Sequence, residues 1–282
     1  MRPLAFAAAL LALPVPAQAQ PRVEGVIHQR LVGQLNPEGA EHALRLGVRA
    51  PLGDPDAMIF TGAHAEAGVV SYASPIYANQ GGYLQVSPLA LLVLRAEILS
   101  TTMWSIGMPG AGYYPVDGYG ADLSAENLRG ERGGEASGWT VRLSAVVQGA
   151  VPLGPARLLL YDEVAAEHVS LGDAAHHYHP RYDLVLSRQE WTIGNHAMLL
   201  AELDLAPDAR LRVGAYDALQ SVPASGALTN QVGGVAMLQL THLDDAVDEL
   251  MPLARLGAYT HHERREGDVT FLLGLFVRYA LR

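Results

Sequence analysis

From Val269 to Leu281 the chain reads VTFLLGLFVRYAL. The odd positions, Val269, Phe271, Leu273, Leu275, Val277, Tyr279 and Leu281, form an unbroken apolar row that includes one phenol. The even positions, Thr270, Leu272, Gly274, Phe276, Arg278 and Ala280, admit a hydroxyl, a glycine and a charge. Side chains alternate between two faces along a strand but repeat every 3.6 residues along a helix. This stretch is therefore a strand with one hydrocarbon face and one mixed face. It is also long, because strands of a soluble sandwich commonly run about 5–6 residues.

The same alternation recurs upstream. Leu44, Leu46 and Val48 alternate with Arg45, Gly47 and Arg49. Trp139, Val141, Leu143, Ala145 and Val147 alternate with Thr140, Arg142, Ser144, Val146 and Gln148. Trp191 to Leu203, Leu211 to Ala215, Ala236 to Leu240 and Ala254 to Ala258 repeat it. Twelve strands are expected, at about 23–34, 42–50, 56–70, 84–95, 101–110, 137–150, 156–168, 188–205, 210–219, 231–242, 251–261 and 268–281. Short turns are expected at 51–55, 152–155 and 206–209, and long loops at 71–83, 111–136, 169–187 and 220–230. Long and short connections then largely alternate, and the even count puts both termini on the side of the short turns. The expected fold is all-β, an antiparallel up-and-down transmembrane β-barrel of about twelve strands.

The first twenty residues read as a secretory leader. Arg2 gives the charge, Leu4 to Val15 the short apolar core, and Ala17-Gln18-Ala19 a small-x-small cleavage site. Residues 21–282 are then expected to be one barrel domain. After the leader the longest apolar run is Pro88 to Leu94, too short for a spanning helix of about 20 residues. A chain that crosses a membrane without helices must close its sheet into a barrel. All 19 basic residues are arginine, set against 29 acidic residues, for a net charge of −10. Without a basic cluster such a chain is unsuited to nucleic acid, whose binding rests on neutralising phosphates. With no cysteine it has no disulfide and no thiolate chemistry.

Leader, alternating strands and C-terminal strand together resemble bacterial outer-membrane β-barrel proteins, over nearly the whole chain and by architecture alone. That resemblance implies the outer membrane of a Gram-negative bacterium, with outer-membrane lipids and the barrel-assembly machinery as partners and no cofactor. Such proteins usually end in an aromatic residue, whereas this chain ends Tyr279-Ala280-Leu281-Arg282.

Chemistry is sparse. His168-Val169-Ser170 places a base and a nucleophile on one side of a strand. The pair is similar to the His-x-Ser of outer-membrane phospholipases and lipid A deacylases, which implies a lipid esterase or deacylase as an alternative function. His176-His177-Tyr178-His179, beside Asp173 and Asp183, has the donors for zinc or copper, and His261-His262 adds to them only if the loops converge. Loop histidines of this kind are usually solvated, and no metal is assigned. The inward parity carries Arg45, Arg49, Arg142, Glu163, Glu167, Glu202, Arg212, Arg255 and Arg278, the expected lining of a largely filled lumen. The leading expectation is a non-enzymatic barrel, either structural or a narrow conduit. A soluble exported β protein, with a core face and a water face, is the remaining alternative.

Overall fold

A computed structural model describes residues 23–53, 62–128, 133–244 and 246–281. The expected leader and the start of the expected strand 56–70 lie outside them. Fifteen strands form: β1 Glu24–Leu35, β2 Gly39–Pro51, β3 His64–Ala73, β4 Tyr77–Leu89, β5 Leu92–Trp104, β6 Tyr114–Val116, β7 Glu135–Leu153, β8 Ala156–Leu171, β9 His176–His179, β10 Leu184–Ser187, β11 Gln189–Ala206, β12 Ala209–Val222, β13 Ala227–Thr241, β14 Val247–His261 and β15 Val269–Leu281. Twelve of them close into one antiparallel barrel, and β10, β9 and β6 make a separate three-stranded sheet. The barrel closes where β15 pairs with β1, from Gly25 opposite Leu281 to Leu35 opposite Phe271. The alternating sequence of Val269–Leu281 is thus the closing strand.

The parity of every barrel strand sorts its side chains. Leu31, Leu46, Val69, Leu84, Ile98, Leu143, Val164, Leu199, Val213, Val232, Leu256 and Leu273, one from each strand in turn, are all exposed on the outer surface. A monomeric soluble protein rarely exposes a contiguous apolar patch above a few hundred Å², whereas here the apolar surface circles the barrel. In lipid this band costs nothing. In water the soluble alternative would leave each of these side chains unburied, forgoing roughly 1.5–3 kcal/mol apiece. The opposite face buries Glu66, Glu97, Glu167 and Glu202 inside the barrel.

The expected boundaries fail most in one region. Residues 71–83 contain only a three-residue turn at 74–76, and the expected strands 84–95 and 101–110 are replaced by the hairpin β4–β5. Asn79, in the expected loop, and Gln85, in the expected strand 84–95, are both buried, because the polar face of this sheet is the inner one. The apolar run Pro88 to Leu94 hides the turn at Ala90-Leu91, where Leu91 is exposed with the outer band. Pro88 falls where the register of β4 and β5 shifts, the kind of irregularity that tolerates proline. The expected loop 220–230 shrinks to 223–226, and Ser170 lies within β8 and not in a loop.

If the outer band faces lipid, Val164→Arg at mid-strand should cost roughly 2–4 kcal/mol. Urea unfolding from bilayers would measure it, and an unchanged midpoint would contradict the assignment of that face.

Candidate functional site

His168 and Ser170 sit on the outer face near the end of β8. The imidazole is wedged between two indoles, stacked on Trp139 with centroids 4.9 Å apart and edge-on to Trp191 at 5.0 Å. The register explains this: Trp191 is opposite His168, and Trp139 is opposite Ser170. His168 Nδ1 is buried without a hydrogen-bond partner, so no third group orients the ring. Among the described residues no hydrogen bond links His168 to Ser170. Asn195, on the same face, donates to Asp162 and to the Glu163 carbonyl. Indoles on an outer face are the usual furnishing of a membrane interface. Ser170 does line a surface cleft of about 540 Å³, with Tyr113, Glu135, Asp173 and Arg188.

Inside the barrel, charges are matched strand to strand. Arg49 meets Glu66 at 2.7 Å, and Tyr83 donates to the same carboxylate at 2.8 Å. Arg142 reaches Glu163 at 2.8 Å and Glu167 at 3.2 Å. Glu202 receives Arg212 at 2.6 Å and Arg157 at 2.7 Å. Arg278 is 3.3 Å from Glu249. Arg45 lies 6.0 Å from the Tyr83 ring, and Arg255 lies 3.7 Å over the Tyr216 ring, with His196 Nε2 at 3.5 Å. Leu200, Tyr216, Val235 and Met237 add an apolar cluster on the same inner face.

One mouth of the barrel holds the second sheet. The connection between β8 and β11 folds back as the β9–β10 hairpin, and β6 adds to its edge. Tyr182, Leu184 and Leu186 of this loop pack on Tyr72, Tyr77, Leu99, Met103 and Val222 of the wall. Arg181 reaches Glu167 at 3.3 Å and Glu41 at 3.8 Å, and lies 5.5 Å from the Tyr72 ring. Tyr182 donates to Glu167 at 2.9 Å. One loop therefore grips β2, β3 and β8 at once, so it spans the mouth.

Its second anchor is Asp183, with φ 54°, a left-handed conformation that Asp tolerates better than most residues. The carboxylate accepts from Tyr178 at 2.6 Å, His262 at 2.9 Å, and Arg264 and Arg265 at 2.7 Å each. These donors hold its pKa well below the usual carboxylate value, at about 2. His262, Arg264 and Arg265 belong to the connection between β14 and β15, so the loops do converge, through a hydrogen-bonded carboxylate.

The histidines of β9 are not solvated as expected. His177 and His179 are buried, with ring centroids 6.0 Å apart, against Tyr113 at 5.2 Å and Tyr182 at 4.5 Å respectively. Neither ring nitrogen of His177 and not Nδ1 of His179 has a hydrogen-bond partner. Burial, with His176 adding to it, pushes His177 down to about 4, so the ring is neutral at pH 7. Among the described residues no three histidine, aspartate or glutamate side chains converge as a metal site requires. Sequence reasoning missed Arg181 and Glu41. The only signal was an arginine between Pro180 and Tyr182, three residues before the apolar run Leu184-Val185-Leu186.

No family model and no curated protein matches this chain. Solved structures of similar fold include the β domain of the Bordetella autotransporter BrkA, 13% identical over 92% of this chain and 100% of that one, with TM-score 0.48. LpxR from Salmonella typhimurium is 9% identical over 90% and 99%, with TM-score 0.45. An outer membrane channel from Pseudomonas putida F1 is 14% identical over 96% and 97%, with TM-score 0.44. These likenesses are architectural and carry nothing about activity. The closure of the sheet and its outer apolar band define the class, an up-and-down transmembrane β-barrel of twelve strands.

The mouth loop should loosen in acid. A histidine lowered from 6.5 to about 4 supports the folded loop fully above pH 6.5, and loses that support as pH falls toward 4. The linked free energy is about 3 kcal/mol at most. Asp183, lowered from 3.8 to about 2, supports the loop above pH 3.8 and weakens it only below that. Amide exchange across residues 172–188, corrected for intrinsic rate, should therefore be faster at pH 5 than at pH 7. Equal protection at both would contradict a buried neutral His177.

Proposed function

We propose that the chain is a non-enzymatic barrel of a bacterial outer membrane that works as a narrow conduit gated by the loop between β8 and β11. The observation that carries this reading is the seating of that loop in the barrel mouth through Arg181 and Asp183. A barrel with a purely structural role needs no such fixture. The leader-like start, the outer apolar band and the closing strand Val269–Leu281 support an exported chain that the barrel-assembly machinery inserts among outer-membrane lipids. The paired charges and the inner apolar cluster leave little free width, which argues for small solutes.

Purified protein should show a heat-modifiable shift on gels and low, flickering conductance in planar bilayers. Arg181→Ala breaks buried ion pairs, a loss of roughly 3–5 kcal/mol to the closed state, so its open fraction should rise by orders of magnitude. If wild type and Arg181→Ala were both silent while folded, the conduit reading would fail.

The lipid hydrolase has one feature in its favour, the cleft beside Ser170. On the reading preferred here, Ser170→Ala leaves phospholipid and lipopolysaccharide turnover at the background of the folded wild type. A wild-type activity abolished by that substitution would reverse the preference.

A further inference from the structure

Two arginines in the lumen differ from all the others. The register puts an acidic or amide partner directly opposite most of them: Glu66 opposite Arg49, Gln85 opposite Arg95, Glu97 and Glu167 opposite Arg142, Glu202 opposite Arg157 and Arg212, and Glu249 opposite Arg278. Opposite Arg45 stand His28 and Val70. Opposite Arg255 stand Val235 and Leu272. Among the described residues these are the only two arginines with no carboxylate within ion-pair distance.

They also share a setting. Each opens an Arg-Leu-Gly triplet, Arg45-Leu46-Gly47 and Arg255-Leu256-Gly257, whose leucine faces outward while arginine and glycine face inward. In each case a tyrosine two strands away lies across the glycine and meets the arginine, Tyr83 from β4 and Tyr216 from β12. A methyl group at Gly47 would come within 2.3 Å of the Tyr83 hydroxyl, and one at Gly257 within 2.3 Å of the Tyr216 hydroxyl. The glycines are thus saddles that let the rings lie flat along the wall. Two such units occur in the barrel, one on β2 and one on β14, on either side of the closing pair β1 and β15.

A guanidinium taken partly out of water without a counter-charge is costly, and a ring face returns only part of that cost. Arg255 Nε is buried with no hydrogen-bond partner. The remaining demand is for a diffusible anion, which the planar, five-donor guanidinium is suited to hold. The net charge of −10 does not oppose this, because Asp122, Glu126, Asp173, Glu263 and Glu266 are exposed in the connections and not in the lumen. We propose that Arg45 and Arg255 each bind a small inorganic anion in the lumen and together make the pathway anion-selective. The selectivity rests on the conduit reading; the anion sites themselves do not.

The test takes Arg181→Ala, and a second variant with residues 174–187 shortened, each shown to fold by its heat-modifiable shift. In a potassium chloride gradient the reversal potential of either should report preference for chloride. Adding Arg45→Gln and Arg255→Gln should bring the permeability ratio to that of free solution or reverse it. An open variant with no anion preference, or one unchanged by the two glutamines, overturns the inference and leaves the conduit intact. If neither variant conducts, the conduit fails, and inorganic phosphate alone decides on the sites. Phosphate should then raise the unfolding temperature of wild type but not of Arg45→Gln/Arg255→Gln. An equal response from both proteins, or none from either, overturns the inference.

Discussion

Hydrocarbon offers a peptide group nothing to bond, so a sheet that lies in it can leave no edge. Here that demand is met by the eleven residue pairs that join Gly25–Leu35 to Leu281–Phe271. Everything else about the molecule follows from their formation. Closure fixes which parity faces lipid, and so forces the apolar band outward on all twelve strands. It also encloses the other parity, which must then satisfy its own charges without bulk water. The ion pairs of the lumen are a consequence of the closed wall.

The enclosed face solves its electrostatics by register. Arginine on one strand finds glutamate on the next at the same level, and tyrosine hydroxyls from Tyr72 and Tyr83 bind carboxylate oxygens that remain. Buried ion pairs of this kind are poor evidence of extra stability, since desolvation offsets much of their attraction. Their value here is that the breaking of any one would strand a charge. The mouth loop joins the same system, since Arg181 shares Glu167 with Arg142 and Glu41 with Arg30. Wall and loop are therefore one electrostatic network.

The fold was legible where the lipid face is strictly apolar. Val269–Leu281 and Trp139–Val147 announce themselves because no polar residue interrupts the outer row. Tyr77–Trp104 was legible only in part: the start of β4 was placed in the loop 71–83, and the strand expected at 84–95 runs across the turn at Ala90-Leu91. Pro88–Leu94 misled as an apolar run that bends at the barrel rim. For the site, the histidines of 176–179 were visible as a cluster, but their burial depends on a hairpin folding back, which no local pattern encodes. Arg45 and Arg255 looked the same as Arg49 and Arg142. What separates them is the residue across the strand, and that requires the register.

The four donors around Asp183 come from two places far apart in the chain. Tyr178 belongs to the mouth loop itself, while His262, Arg264 and Arg265 precede the last strand. That last strand is also the one that seals the wall. A nascent barrel with β15 still unpaired therefore has no fixed support for the carboxylate, and the hairpin has nothing to latch onto. The order of assembly is thus written into the contacts: the cylinder must be finished before its lid can be fastened. A half-built barrel, whose open seam would already leak, cannot pass for a closed one.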